Sequence, residues 1–471
     1  MHTTRRKFIT SSAVATMGAV SAATRGQPSA VEVPTDARQA DQEAAFGAAR
    51  RVIFAVSDGM SVGTLTLADM YSKIVAGTGE TNWVRLFRDP RARHAMCSTH
   101  CSDSLVTDSA AASTTWSCGK KVYRGSIGFN DDRETETPIL LRARESGFGT
   151  GLVTTASLTD ATPAAFIANV PVRRMEREIA QQYLERKPTV ALGGGRGHFD
   201  AEEVKAFDGH YVTNHRALGD RPEAESQIGV FAEYHIPYML DRTDDDADLE
   251  SMTRDALRRL DQAGDGFLMQ VEAARVDHAA HANDAVSMIL EQLEFDRTIG
   301  RLVEYTESRD DTLLIITTDH GNANPGLTVY GERGERGLRK LADSRRSFSW
   351  IAAELRDRDP DVANVSIVRE VVEFATGVAL EDDDIARLGR QGTQRANLFG
   401  EIDNFTSRLG SLLANHNGIG FVSKNHTSDL VHVTALGAGA ELLQPMVDNT
   451  DLMPHMMYAM GISKGVKSLT D

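Results

Sequence analysis

Cysteine is scarce in this chain: three in 471 residues, at Cys97, Cys101 and Cys118. Three thiols cannot build a disulfide framework, so the fold does not rest on one. Cys97 and Cys101 alone could bridge, and only in an oxidising compartment. Positive charge is also in deficit, with 51 Lys and Arg against 67 Asp and Glu and a net charge of −16. Nucleic acid is recognised through a basic face, and this balance argues against such a partner. It leaves room for a small anionic substrate, because bound metal ions attract one locally. Past the N-terminal segment no apolar run is long enough to cross a bilayer, so no transmembrane anchor is expected. A nucleotide-binding signature is missing too. The glycine-rich stretch Leu192-Gly193-Gly194-Gly195-Arg196-Gly197 has neither the Lys-Ser/Thr of a P-loop nor the spacing of a dinucleotide fingerprint, and reads as a tight turn after a strand.

The chain opens on a targeting pattern. Thr4-Arg5-Arg6-Lys7-Phe8-Ile9 carries twin arginines, a weakly apolar stretch of small residues runs on to Ala23, and Val20-Ser21-Ala22 has the small-x-small form of a cleavage site. Residues 1–23 are therefore expected to be a twin-arginine signal, with the mature protein periplasmic or extracellular. That route moves folded protein, which suits a chain that loads its cofactor before export. Residues 24–48 are polar and Ala-rich and read as a linker.

A repeated unit organises the body of the chain. Val52-Ile53-Phe54-Ala55-Val56 is a short continuous apolar run of the buried-strand kind, and it ends in Ser57-Asp58-Gly59-Met60. Gly151 to Thr155 leads in the same way to Asp160-Ala161-Thr162-Pro163, Gly266 to Val271 to Glu272, and Thr312 to Thr318 to Asp319-His320-Gly321. Between the last two, Val286, Ile289, Leu290 and Leu293 recur at helical spacing. Strands alternating with helices predict an α/β fold: a mostly parallel central sheet sandwiched by helices. Ligands of such sheets bind beyond the carboxyl ends of the strands, which is where these acidic and histidine clusters fall. From Pro325 to Asn415 the unit stops and charge-rich helical stretches take over, such as Phe348 to Leu355 and Val368 to Phe374. We read 325–415 as a helical insertion, a lid or an oligomer contact, in a core of 49–324 and 416–471. A last strand, Leu430 to Leu436, and a Met-rich helix close the chain; those methionines read as packing rather than copper ligands.

Two features point to chemistry. In Thr107-Asp108-Ser109-Ala110-Ala111-Ala112, either Thr107 or Asp108 could cap a helix, and the small residues after Ser109 would let an anion approach its first turn. Ser109 could act as a nucleophile only if something activates it. The second feature is the set Glu272, Asp277, His278 and His281. Asp277 and His281 are four apart, so on a helix they face one ion together, and His with carboxylate suits zinc. Asp319, His320, Asp58 and His426 could add ligands, although each alone is also an ordinary cap.

Together these motifs resemble the alkaline phosphatases, from about Arg51 to the C-terminus and most weakly in the insertion. The resemblance rests on Ser57-Asp58-Gly59-Met60, Val106-Thr107-Asp108-Ser109-Ala110-Ala111, Asp160-Ala161-Thr162-Pro163, Glu272 with Asp277 and His281, Thr318-Asp319-His320-Gly321, and His426-Thr427. It implies that Asp277, His281 and His426 hold one zinc ion and that Asp58, Asp319 and His320 hold a second. Asp58 would also reach a magnesium ion with Thr162 and Glu272. It further implies Ser109 as the nucleophile, activated by zinc, and Arg173 as a planar fork on the phosphoryl oxygens. Asp160 and His278 would sit around the magnesium; His278 departs from the family pattern, in which this position varies. The implied activity is hydrolysis of small phosphate monoesters through a phosphoserine intermediate. A phosphodiesterase of the same superfamily is the alternative reading and a non-catalytic zinc protein a weaker one. A homodimer is compatible with the sequence, which does not decide the assembly.

Overall fold

The four apolar runs that precede the acidic clusters all form strands, and they lie side by side. The computed structural model describes residues 43–220, 223–359, 364–389 and 404–463; the twin-arginine segment and most of the linker lie outside these residues. In chain order the strands are β1 Arg51–Ser57, β2 Arg93–Ser98, β3 Gly149–Ser157, β4 Val190–Gly194, β5 His210–Val212, β6 Gln227–Val230, β7 Phe267–Ala273, β8 Thr312–Thr317, β9 Gly321–Asn322, β10 Gly326–Leu327, β11 Ile419–Gly420, β12 His426–Thr427, β13 Val431–Gly437 and β14 Met446–Asp448. Ten of them form one sheet in the order β14-β2-β13-β8-β1-β7-β3-β4-β6-β5. All neighbours run parallel except β13, which is antiparallel to both β2 and β8. The fold is the α/β sandwich expected, with that one reversed strand.

A parallel sheet covered on both faces needs apolar side chains on both sides of each strand. In β1, Val52, Phe54 and Val56 enter one hydrophobic core and Ile53 and Ala55 the opposite one. In β8, Leu313 and Ile315 divide from Leu314 and Ile316 in the same way. Each fully buried side chain of this size contributes about 1.5–3 kcal/mol. The first core is closed by the Ser109–Cys118 helix and the Met-rich Leu452–Ala459 helix, whose Met456 and Met457 are packing residues. The second is closed by the Leu249–Ala263 and Ala285–Glu307 helices. The latter carries the predicted stripe: Val286 and Ile289 are buried, and Leu290 and Leu293 pack against the core from partly buried positions.

Helices Phe348–Arg358, Val365–Thr376, Asp382–Leu388 and Phe405–Asn417 share a core of their own, built from Phe348, Ile351, Leu355, Val368, Val372 and Leu409. At the other end the chain joins the fold earlier than the composition of 24–48 implies, since Ala45 packs with Leu442 and Tyr458. The three cysteines are free and buried. Cys97 and Cys101 do not bridge; Cys97 lies in the sheet core and Cys101 packs with Ala111, Cys118 and Val122. Among the described residues no helix is long and apolar enough to cross a membrane.

Candidate metal centre and active site

The sheet register brings the acidic clusters to one edge. Val56 pairs with Glu272 on one side and Thr317 on the other, and Glu272 pairs in turn with Thr154. Asp58, Glu272, Asp319 and Asp160 therefore emerge within four adjacent strands, beyond or at their carboxyl ends.

Ser109 begins its helix, and Asp108 is the cap: its Oδ1 accepts the Ala111 N–H at 3.0 Å, while the Thr107 hydroxyl turns to the Asp108 carbonyl. Every residue of this Ala-, Ser- and Thr-rich helix is buried, and Trp116 anchors it edge-on against Phe54, with ring centroids 5.0 Å apart. Ser109 is thus fixed at a buried helix N-terminus, where free N–H groups and the dipole favour an anion. Its Oγ lies 3.3 Å from His320 Nε2.

Two groups of side chains have the geometry of metal ligands, Asp277 with His281 and His426, and Asp58 with Asp319 and His320. Asp277 and His281 face one way on the Arg275–His281 helix, as their spacing predicts. His281 Nδ1 meets the Lys424 carbonyl at 2.5 Å and His426 Nδ1 meets the Thr107 carbonyl at 3.0 Å. A carbonyl only accepts, so both Nδ1 atoms carry a hydrogen and Nε2 is the nitrogen each ring can offer to a metal ion in place of a proton. Those two Nε2 atoms are 3.0 Å apart, and they lie 3.2 Å (His281) and 3.8 Å (His426) from Asp277 oxygens. Two ring nitrogens and a carboxylate converging this closely fit a cation between them, whether a proton or a metal ion. In the second group Asp319 Oδ2 comes within 2.9 Å of His320 Nε2 yet makes no hydrogen bond, and the buried Asp58 Oδ1 has none either. The residues fit metal ions of the His-carboxylate kind.

Electrostatics point the same way. Burial, and then the carboxylates of Asp319, Asp277 and Glu272, push Asp58 well above its ordinary range. Burial pushes Glu272 up to about 8, although the Thr154 hydroxyl donates to it at 2.5 Å. At Asp277 burial opposes ionisation, but His281, His426 and His320 outweigh it and hold the group well below its usual value. So much converging carboxylate needs cations to stay charged. Thr162 donates to Asp58 Oδ2 at 3.2 Å, and Glu272 is near enough to Asp58 to act on its charge.

Supporting contacts are specific. Asn322 donates to Asp277 Oδ1 at 2.7 Å. Gly59 has φ +66°, and a Cβ there would stand 2.3 Å from Asp277 Oδ1, so glycine is required twice over. Arg173 reaches Asp160 Oδ1 at 2.9 Å and Oδ2 of Asp108, the cap of the serine helix, at 3.4 Å, whereas Arg174 is exposed. Burial opposes the charge on Arg173, but Asp160, Asp108 and Asp58 together raise its pKa. His278 stands 3.8 Å from Asp160 and is held down to about 3 by burial, Arg275 and His235. His235, 4.6 Å from the His278 ring, is the residue that sequence reasoning missed. Its signal was available: it follows β6 as the other clusters follow their strands.

With this geometry in place, comparison with known proteins gives the class. The family model described as alkaline phosphatase matches residues 49–462, and the chain belongs to that family of metal-dependent phosphoester hydrolases. Alkaline phosphatase 4 of Bacillus subtilis is 30% identical over 425 residues, covering 85% of this chain and 87% of that protein. Streptomycin-6-phosphate phosphatase of Streptomyces griseus is 33% identical over 340 residues, covering 58% and 74%. The crystal structure of Thermus thermophilus alkaline phosphatase superposes with a TM-score of 0.81 at 29% identity, over 92% of this chain and 96% of that one.

Proposed function

We propose that the protein is a phosphate monoesterase that works through a phosphoserine on Ser109. Asp277, His281 and His426 would hold one zinc ion, Asp58, Asp319 and His320 the other, and Asp58, Thr162 and Glu272 a magnesium ion. When bound, such ions lower the pKa of the serine hydroxyl and neutralise charge on the attacking and leaving oxygens. The observation that carries the reading is the Ser109 hydroxyl at a helix N-terminus, 3.3 Å from a histidine of one ligand group. Ser109 Oγ forms a bond to phosphorus as the bond to the alcohol oxygen breaks, and water then releases phosphate from the serine. Arg173 supplies a planar pair of donors to the equatorial oxygens, where charge grows in the transition state. Little of this machinery touches the alcohol, so a broad range of small monoesters is expected. The twin-arginine segment, outside the described residues, supports export to the periplasm or beyond.

The test is a paired assay of metal-loaded protein on a chromogenic monoester and its diester, with Ser109→Ala alongside. Monoester turnover should dominate at alkaline pH and disappear in Ser109→Ala, while the variant keeps its zinc. A diester rate equal to or above the monoester rate would overturn the assignment.

A further inference from the structure

Asp160, His235 and His278 form a third group whose ligand-type atoms lie within 4.8 Å of one another. By composition it resembles the two metal groups, but its protons are arranged the opposite way. His281 and His426 present Nδ1 to carbonyl acceptors, which leaves Nε2 free to bind a cation. In the third group each Nδ1 meets a donor. The Ser157 backbone N–H donates to His235 Nδ1 at 3.1 Å, and the Arg275 guanidinium donates to His278 Nδ1 at 2.7 Å. Neither partner can accept, so in both rings Nδ1 holds the lone pair and Nε2 carries the hydrogen. Such a ring has no lone pair left for a metal ion. The group is a carboxylate flanked by two N–H donors.

Asp160 divides its two oxygens accordingly. Oδ1 accepts from Arg173 at 2.9 Å and from the Ala161 N–H at 2.7 Å. Oδ2 is the side that His278 Nε2 approaches, at 3.8 Å. His235 is carried to the same place by β3: the Ile236 N–H donates to the Thr155 carbonyl and the Ser157 N–H holds the ring, both at the strand end that leads to Asp160. Arg275, which fixes the His278 tautomer, is itself stacked 3.7 Å over Tyr238.

We propose that His235 is a positioning residue: with His278 it holds Asp160 by its Nε2–H side, so that Asp160 keeps Arg173 aimed at the phosphoryl group. The inference rests on Arg173 being the phosphate grip proposed above.

Two substitutions in the metal-loaded, full-length enzyme separate this role from loop support. His235→Asn keeps an oxygen acceptor for the Ser157 N–H but has no donor at the ε position. His235→Gln restores an N–H there. Positioning predicts that His235→Asn raises KM and the inhibition constant for inorganic phosphate about 5-fold, less than the loss of a direct hydrogen bond to a charged group because His235 acts through Asp160 and Arg173, with a smaller change in kcat and full metal content. His235→Gln should stay close to the parent, and neither change should matter further in an Arg173→Ala background. The reverse order, with Gln impaired and Asn unaffected, would show a loop-supporting role and overturn the proposal. Loss of one metal equivalent in His235→Asn would overturn it in favour of a metal site. If Arg173→Ala weakens phosphate inhibition and His235→Asn does not, the positioning role alone fails; if Arg173→Ala itself has no effect, the reading of the arginine fails.

Discussion

Removing the metal ions should make the protein lose stability as the pH rises from 6.5 to 8, and Glu272 is the reason. Its side chain is 1% exposed, and in the metal-free fold burial pushes its pKa from 4.5 to about 8. The unfolded chain has already released this proton at pH 6.5, while the folded chain still holds it. The folded state binds more protons, so stability falls with rising pH until the folded pKa is passed. Each pH unit in this range costs roughly 1.4 kcal/mol per such group, so the step from 6.5 to 8 costs roughly 2 kcal/mol. Asp58, also raised by burial, has the same sign. His281, raised to about 9 against burial mainly by Asp277, acts with the same sign, but its side chain is 38% exposed and solvent screening reduces its share.

The window starts at 6.5 for a reason. His278 and His426, held down to about 3 and about 4 chiefly by burial, are neutral in the fold but still half protonated in the unfolded chain at pH 6.5, so they give a small opposing slope that fades by about pH 7.5. Asp277 and Asp319 lie below the ordinary carboxylate range and matter only in acid. Glu291, raised to about 7 by burial away from the ligand groups, adds a slope common to both forms, so the metal-loaded protein is the proper reference. For a fold of this size roughly 2 kcal/mol corresponds to about 2 °C in Tm. Thermal unfolding of chelator-treated protein should show a drop of that order between pH 6.5 and 8, and zinc with magnesium should flatten it by replacing the protons. A metal-free Tm that follows the loaded protein across this window would refute the reasoning.

Other consequences are direct. Arg173→Ala should raise the inhibition constant of inorganic phosphate by about 10-fold or more, the cost of losing charge-assisted hydrogen bonds to an anion; equal inhibition of variant and parent would remove Arg173 from the site. Gly59→Ala should force Asp277 aside and weaken zinc retention by about 10- to 100-fold, as loss of a supporting contact does elsewhere. Competition with a chromogenic chelator measures this, and parental retention would show that the loop yields without moving the ligand.

The alternation of apolar runs and polar clusters made the sheet legible, because a strand buried on both faces leaves a continuous apolar signature and its ligands follow at the end. Asp277 and His281 were legible together because helical spacing is local. The cap at Asp108 was only half legible: Thr107 and Asp108 both have the chemistry, and the fold chose the one whose carboxylate also accepts the Gly125 N–H at 3.1 Å. Leu430 to Leu436 was visible as a strand, but its reversed direction in the sheet was not, since direction depends on how the intervening chain returns.

What the sequence determined by itself was the type and spacing of the groups: a serine at a helix start, carboxylates after strands, and histidines in reach of them. Proton positions were decided by tertiary structure alone. Whether an imidazole offers a lone pair or a hydrogen depends on what its other nitrogen meets. For His281 and His426 that partner is a carbonyl 143 and 319 residues away; for His235 it is an N–H 78 residues away. No local pattern carries such information, because it arises only when distant backbone is brought against the ring.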